Sequence, residues 1–427
     1  MKKEIKNTAL KGFVRKNKFA NKFALGAMAM GIATAGMVVV IPDATPVEAA
    51  TVTTFKDVPK SHWAYQSISE VAKKGLVTGY SDGTYKPSAQ VTRAEFATFL
   101  ARVFDSKDRT TAKFSDVQSH WAIDSIQEGL ALGFINPNDF ANNKFEPNKP
   151  MTRGEMSRWL SNALAHANPE YGKAIEEMAN SSLTIIPIPE FYGGGVNKKD
   201  LPYIGVALGT GLLSGYEDFK FKPNGNTTRA EVATILIRFM DTMKKAPSDF
   251  TELKELLEVA NTGTNILTIT NFKARTGGYK EVLGKPHTYL NKTGVATIEH
   301  AIFVDTTGSK PKGIFKDMFF NEKGEDKILL NRGIYAIYYD YTFKPSRDVS
   351  VQSVSNGSDM HFASNLLVDK SKIALFNLSS PKGTSKNEFM KGETYRYWAF
   401  NKIGGQPGRD FGSRADDGSM FYYEVPK

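Results

Sequence analysis

Cysteine is missing from all 427 residues, so neither a disulfide nor a cysteine-ligated zinc site can form. Stability has to come from a packed core alone. Long apolar runs are missing after residue 41, which leaves no later stretch able to span a membrane. A strong excess of one charge is missing too, once the charges are located. The net charge is +10, but residues 1–49 hold eight basic residues against three acidic ones, half of that total. The other 47 basic and 42 acidic residues give no nucleic-acid signal.

What is present begins with an export signal. A basic region ends at Lys22, an apolar segment covers 23–41, and Pro42 and Pro46 precede Val47-Glu48-Ala49-Ala50. Small residues there suit cleavage, so residues 1–49 read as a secretory signal peptide, with no membrane contact after cleavage.

A nine-residue pattern is then written three times: Thr92-Arg93-Ala94-Glu95, Thr152-Arg153-Gly154-Glu155 and Thr228-Arg229-Ala230-Glu231, each leading into an apolar run. Thr followed three residues later by Glu is a capping box. Phe96, Phe99 and Leu100, and their counterparts in the other copies, fall on one helix face. The box explains Thr and Glu but not Arg. A cation at the first helical position faces the positive end of the helix dipole, at a cost of roughly 0.3–1 kcal/mol. Three such arginines imply a gain elsewhere. One reading is an anion held jointly by the guanidinium and the free helix-start N–H groups. The alternatives are solvated arginines or structural salt bridges within the repeat.

Each copy of the pattern closes a longer unit. Phe55-Lys56-Asp57-Val58 and Ser61-His62-Trp63-Ala64 open the first; Phe114-Ser115-Asp116-Val117 and Ser119-His120-Trp121-Ala122 open the second. Loops with Tyr85-Lys86-Pro87, Phe145-Glu146-Pro147 and Phe221-Lys222-Pro223 lead to the capping-box helices. The third copy keeps Gly215-Tyr216 and Asp218, matching Gly79-Tyr80 and Asp82, but has lost its opening: Lys199 stands where Trp63 would. An insertion precedes it, with a helix expected over 169–180 and a turn-rich stretch over 187–195.

This ordered set resembles the S-layer homology (SLH) domains of Gram-positive surface proteins. The repeats would cover 52–104, 112–166 and 181–243. The resemblance implies an all-α pseudo-threefold spindle whose grooves bind a secondary cell-wall polysaccharide, commonly one bearing a pyruvate ketal on N-acetylmannosamine. Its carboxylate is the anion that an arginine at a helix start would hold. By resemblance, Arg93, Arg153 and Arg229 would face the carboxylate, Trp63 and Trp121 would cover the sugar, and Asp82, Gly79 and Gly215 would shape the groove. For the tryptophans a plain core position is the alternative; Asp82 and the glycines have turn geometry as theirs. Repeat two carries Asn136-Pro137 in place of Thr78-Gly79 and repeat three lacks the tryptophan, so one full site beside repeat one, tested at Arg93, is expected rather than three equal ones.

Residues 244–260 read as a linker and short helix, and 261–427 as a β-rich domain, a sandwich or small barrel. Strands are expected over 266–272, 296–304, 334–343, 373–378, 394–400 and 420–425, rich in Tyr, Ile and Phe. Turn clusters such as Asn321-Glu322-Lys323-Gly324 separate them. The fold class is thus α + β in separate domains. His287, His300 and His361 lack partners at motif spacing and read as structural. Asp416-Asp417-Gly418 reads as a hairpin turn before a calcium contact, and Thr276-Gly277-Gly278 lacks the lysine of a phosphate loop. The row Tyr335, Tyr338, Tyr339, Tyr341 would be a carbohydrate-binding face, or core on one side and ordinary surface on the other.

The expectation is therefore an exported, wall-anchored surface protein, with no cofactor, metal or catalytic residue. Self-association in a surface layer is a further option. The competing expectation is a wall-anchored glycan hydrolase with its active site in 261–427.

Overall fold

The computed structural model describes residues 54–321, 325–355, 368–381 and 387–427. The signal segment, His361 and most of the 321–324 turn lie outside them. The helices are α1 (Tyr65–Lys73), α2 (Arg93–Phe104), α3 (Ile123–Ala131), α4 (Arg153–Ala167), α5 (Pro169–Asn180), α6 (Pro189–Tyr192), α7 (Leu201–Gly209), α8 (Arg229–Thr242), α9 (Thr251–Thr262) and α10 (Ile266–Ile269). The strands are β1 (Lys273–Thr276), β2 (His287–Thr288), β3 (Gly294–Asp305), β4 (Ile334–Pro345), β5 (Tyr395–Gly404), β6 (Asp410–Arg414) and β7 (Met420–Glu424). Short helices α11 (Lys316–Phe319), α12 (Val351–Ser355) and α13 (Lys370–Leu375) lie between strands. The expected order holds: a helical region, then antiparallel sheets. Among the described residues no helix is long and apolar enough to cross a membrane.

Each repeat supplies a first helix (α1, α3, α7) and a capping-box helix (α2, α4, α8), and the packed pairs join different repeats: α1 with α8, α3 with α2 and α7 with α4. The first helices α1 and α3 end at Gly75 and Gly133, both left-handed, as the sequence suggests. Ile68, Val71, Phe96, Leu100, Ile126, Leu160 and Leu236 are fully buried or nearly so. α5, starting at Pro169 with Asn168 as its cap, is the helix expected in the insertion.

β2, β3, β4 and β5 form one sheet in that order, and β1, β7 and β6 a second. Alternation along β4 splits its tyrosines. Tyr338 joins a core continuous with the repeats, with Ile302, Val304 and Trp398, and stacks on Phe319 at 4.3 Å. Tyr335, Tyr339 and Tyr341 face a second core shared with Phe421 and Tyr423 of β7. All four tyrosines are buried, so this row is core and not a carbohydrate face.

The short helix expected within 244–260 is present as α9, with Leu253, Leu256 and Val259 buried in the core shared with the repeats, while two strand expectations need correcting. At its contact with α7 a Cβ on Gly209 would lie 2.7 Å from Leu253 Cα, so only glycine admits so close an approach. The strand expected over 266–272 opens as α10, because the Glu258 carboxylate accepts the Leu267 and Thr268 N–H groups at 2.9 and 2.8 Å and holds a helical turn. The strand expected over 373–378 begins inside α13, capped by Asp369, which accepts the Ser371 N–H at 2.9 Å, and continues as a turn.

The described histidines of the β region are structural. His287 is buried beside the Arg414 carbonyl at 3.1 Å. His300, on β3, meets Asp340 through Nδ1 at 3.1 Å and the Leu183 carbonyl through Nε2 at 3.0 Å, tying the sheet to the insertion. Arg396 adds two bonds to the same carboxylate, at 3.0 and 2.7 Å. Burial alone would raise the Asp340 pKa; the His300 and Arg396 bonds outweigh it and hold it below the usual range. Asp417 accepts the Ser419 N–H at 2.9 Å and Gly418 has φ +86, the geometry of a turn.

Glu255 of α9 is fully buried, accepting from Asn265 Nδ2 at 3.0 Å and Ile314 N at 3.2 Å. Burial pushes its pKa up to about 7, from an ordinary value of 4.5. The folded chain therefore keeps this proton where the unfolded chain has released it. Its contribution to stability is complete below the unfolded value and is lost as pH rises toward 7. Glu255→Gln should remove that slope: in urea unfolding at pH 5 and pH 8, the wild type should lose stability between them on the order of 3 kcal/mol more than the variant.

Candidate functional site

All three capping boxes form. Glu95, Glu155 and Glu231 N–H groups donate to Thr92, Thr152 and Thr228 Oγ1 at 3.2, 3.2 and 3.3 Å. The carboxylates take the threonine N–H groups back at 3.0, 3.0 and 2.7 Å.

The two preceding helix-start amides are not free. Arg93 and Ala94 donate to the Lys149 and Pro147 carbonyls of repeat two, Arg153 and Gly154 to Gly225 and Pro223 of repeat three, and Arg229 and Ala230 to Ala89 and Pro87 of repeat one. The expectation that these N–H groups join an arginine around an anion is therefore corrected: carbonyls of the neighbouring repeat already occupy them. Each guanidinium follows its backbone into the same neighbour. Arg93 Nη1 reaches the Phe145 carbonyl at 2.8 Å and Glu146 at 2.9 Å, and its other nitrogens hold Glu155. Arg153 reaches the Phe221 carbonyl at 2.8 Å and the Ser214 carbonyl at 2.6 Å. Arg229 reaches the Tyr85 and Thr78 carbonyls at 2.8 Å each and Glu95 at 2.7 Å. Repeat one grips two, two grips three, and three grips one.

A second threefold device fixes the loops that these arginines grip. Asp57 accepts the Tyr85 and Lys86 N–H groups, both at 2.7 Å; Asp116 accepts those of Phe145 and Glu146 at 2.9 and 2.8 Å. In repeat three, Glu190 does the same for Phe221 and Lys222 at 3.2 and 2.7 Å. Lys86, Glu146 and Lys222 are all left-handed, at φ 56, 53 and 57, so the carboxylates secure an unfavourable backbone. Sequence reasoning missed Glu190, because it sits on α6 out of register with the aspartates.

The three arginines are unequal in free charge. Arg93 carries two carboxylates, Glu146 and Glu155. Arg229 carries one, Glu95. Arg153 makes no ion pair among the described residues and lies 4.7 Å from the Tyr216 and Phe221 ring centres. Burial lowers its pKa, opposed by Tyr216 and Glu231.

Trp63 and Trp121 are 66% and 64% exposed, which removes the core alternative for both. Each follows a histidine whose Nδ1 accepts the N–H of the alanine after the tryptophan, at 3.1 Å from Ala64 and 3.2 Å from Ala122. Each imidazole also packs on its tryptophan, with centroids 5.7 and 5.4 Å apart. Trp63 borders a pocket of about 150 Å³ together with Arg153, Gly215, Tyr216, Glu231 and Arg238. Residues from all three repeats thus meet there. Arg238 is exposed and makes no ion pair among the described residues; the sequence reading did not single it out, though Arg102 holds the same offset in repeat one. Arg93 does not line this pocket, so the expected site beside repeat one is built with Arg153 instead. Asp82 holds a turn, accepting the Thr84 N–H at 2.9 Å. Gly79 serves packing: a Cβ there would stand 2.4 Å from the Phe55 ring.

The S-layer homology domain family matches residues 54–97, 113–157 and 196–233. The chain carries three SLH domains. It is 34% identical over 129 residues to a cellulosome-anchoring protein of Acetivibrio thermocellus, covering 29% of this chain and 28% of that one. It is 30% identical over 211 residues to the S-layer protein sap of Bacillus anthracis, covering 49% and 23%. It is 31% identical over 190 residues to an amylopullulanase of Thermoanaerobacterium thermosulfurigenes, covering 44% and 10%. The chain thus spans well under a third of the length of each of these relatives. The SLH domains indicate anchoring at the cell surface, in association with the cell wall.

Because Arg93 is a buried inter-repeat clamp, its loss should act on stability. Arg93→Ala takes the ion pair from part-buried Glu155, which keeps its Thr152 bonds, and leaves the Phe145 carbonyl without its donor, a change worth roughly 1–3 kcal/mol. Urea unfolding should show a loss of that order, while Lys60→Ala, at an exposed position, should unfold like the wild type.

Proposed function

We propose that the pocket beside Trp63 seats an acidic cell-wall polysaccharide and so holds the chain on the wall without a covalent bond. The observation that carries this reading is the pairing of an exposed tryptophan with two guanidinium groups, Arg153 and Arg238, that form no ion pair among the described residues. The indole offers an apolar face to a sugar ring. Arg153 forms a fixed, buried base and Arg238 an exposed cation at the rim, an arrangement suited to a carboxylate. Glu231 borders the same pocket, but its carboxylate is engaged by Thr228 and by the Tyr216 hydroxyl at 3.3 Å. A pyruvate ketal on N-acetylmannosamine, the ligand the resemblance implies, combines the needed carboxylate, methyl group and ring face. By repeat order Trp121 and Arg229 are the counterparts of Trp63 and Arg153, and Glu95 already takes part of the Arg229 charge.

In this reading the β-rich region is displayed at the surface as a binding or structural element and carries no catalysis. The buried carboxylates beside and within it support that: Glu255, Glu258 and Asp340 are each occupied by structural partners. Clearing of wall glycan in a zymogram would reject it in favour of a hydrolase.

Trp63→Ala and Arg238→Ala remove exposed side chains and leave the fold intact. In pull-down on purified cell wall, each should weaken binding by about tenfold or more, the loss of one charge-assisted or stacking contact. Wall stripped of its acidic polymer should retain neither variant nor wild type. Equal retention of Trp63→Ala, Arg238→Ala and Lys60→Ala would remove the site.

A further inference from the structure

In repeats one and two the carboxylate that fixes the groove loop is rooted in its own repeat. Asp57 lies between buried Phe55 and Val58, and Asp116 between buried Phe114 and Val117. Repeat three has lost that opening segment. Its substitute, Glu190, stands on the four-residue helix α6, too short to hold itself in place. The groove loop of repeat three therefore needs outside support.

That support comes from the C-terminal half. Tyr192, two residues beyond Glu190, donates its hydroxyl to Met318 Sδ at 3.3 Å and meets the Phe376 ring edge-on at 6.3 Å. On the other side of the loop, Phe219 lies under Lys372 Nζ at 4.0 Å. Lys372 is itself fixed by the Asp317 carbonyl at 2.7 Å. Lys372 thus touches the loop at Phe219, and Met318 and Phe376 touch the helix that carries its carboxylate. The same loop supplies the Ser214 and Phe221 carbonyls that orient Arg153, and Gly215 and Tyr216 of the pocket.

We infer that the C-terminal half is a working part of the wall anchor: through Glu190, Tyr192 and Phe219 it positions the loop that forms the pocket beside Trp63. Glu190, Tyr192, Phe219 and Lys372 are positioning residues, which touch no ligand and act through Arg153. The inference rests on the polysaccharide reading of that pocket. It predicts that changes in the β-rich region near Lys372 alter wall binding, with no glycan contact of their own.

The test uses the full chain and two readouts, amide hydrogen exchange at Phe221 and Lys222 and retention on purified wall. Glu190→Gln and Phe219→Ala should each raise exchange at those two amides and lower retention by about fivefold or more. Asp57→Asn should raise exchange at Tyr85 and Lys86 and leave Phe221 and Lys222 unchanged. Phe219 is partly exposed, so Phe219→Ala keeps the test open if Glu190→Gln fails to fold. Unchanged exchange in Phe219→Ala, or raised exchange with undiminished retention, overturns the inference. Should the wild type itself not be retained, the polysaccharide reading falls, and the exchange data alone decide whether C-terminal contacts hold the loop.

Discussion

Each repeat ends in a helix whose first residue is an arginine turned into the next repeat. That placement opposes the helix dipole, and the structure shows what outweighs it. Arg153 and Arg229 each bond two backbone carbonyls of the neighbouring loop and Arg93 bonds one, with carboxylates added at Arg93 and Arg229. Both starting amides of each helix bond the same loop. The last of these links joins residues 144 positions apart and closes the ring. It works beside the Arg229 and Ala230 amide bonds to repeat one and the packing of α1 on α8, and it leaves each loop clamped between its own carboxylate and a foreign arginine.

From that constraint the asymmetry of the proposed site follows. A guanidinium occupied by carboxylates has little left for a ligand. Arg93 holds two, Arg229 one and Arg153 none. The degeneration of repeat three works in the same direction. It removes the tryptophan, with Lys199 in its place, from the groove in which Arg93 would stand, and it leaves Trp63 facing Arg153. The repeats thus keep a shared scaffold while their grooves diverge.

How much of this was legible beforehand depends on range. The capping boxes, the stops at Gly75 and Gly133, the helix at 169–180 and four of the strands are written in local pattern, and local energetics honour them. The arginines were legible only as an anomaly: position showed that something must compensate them, but the partners lie 52 to 151 residues away. Glu190 escaped because its role is spatial; a glutamate reaches from α6 where an aspartate reaches from the usual motif. The strands expected at 266–272 and 373–378 failed because apolar composition does not distinguish a short helix from a strand, and the deciding groups were the Glu258 and Asp369 carboxylates. Lys199 and Asn136-Pro137 were correctly legible as departures, though not the groove that survives them.

The ring can be tested where it closes. Hydrogen exchange of Arg229→Met should show lost protection in repeat one, at the loop amides around Tyr85 to Val91, as well as at the start of α8. Exchange that rises only near residue 229, with repeat one as protected as in the wild type, would contradict the account.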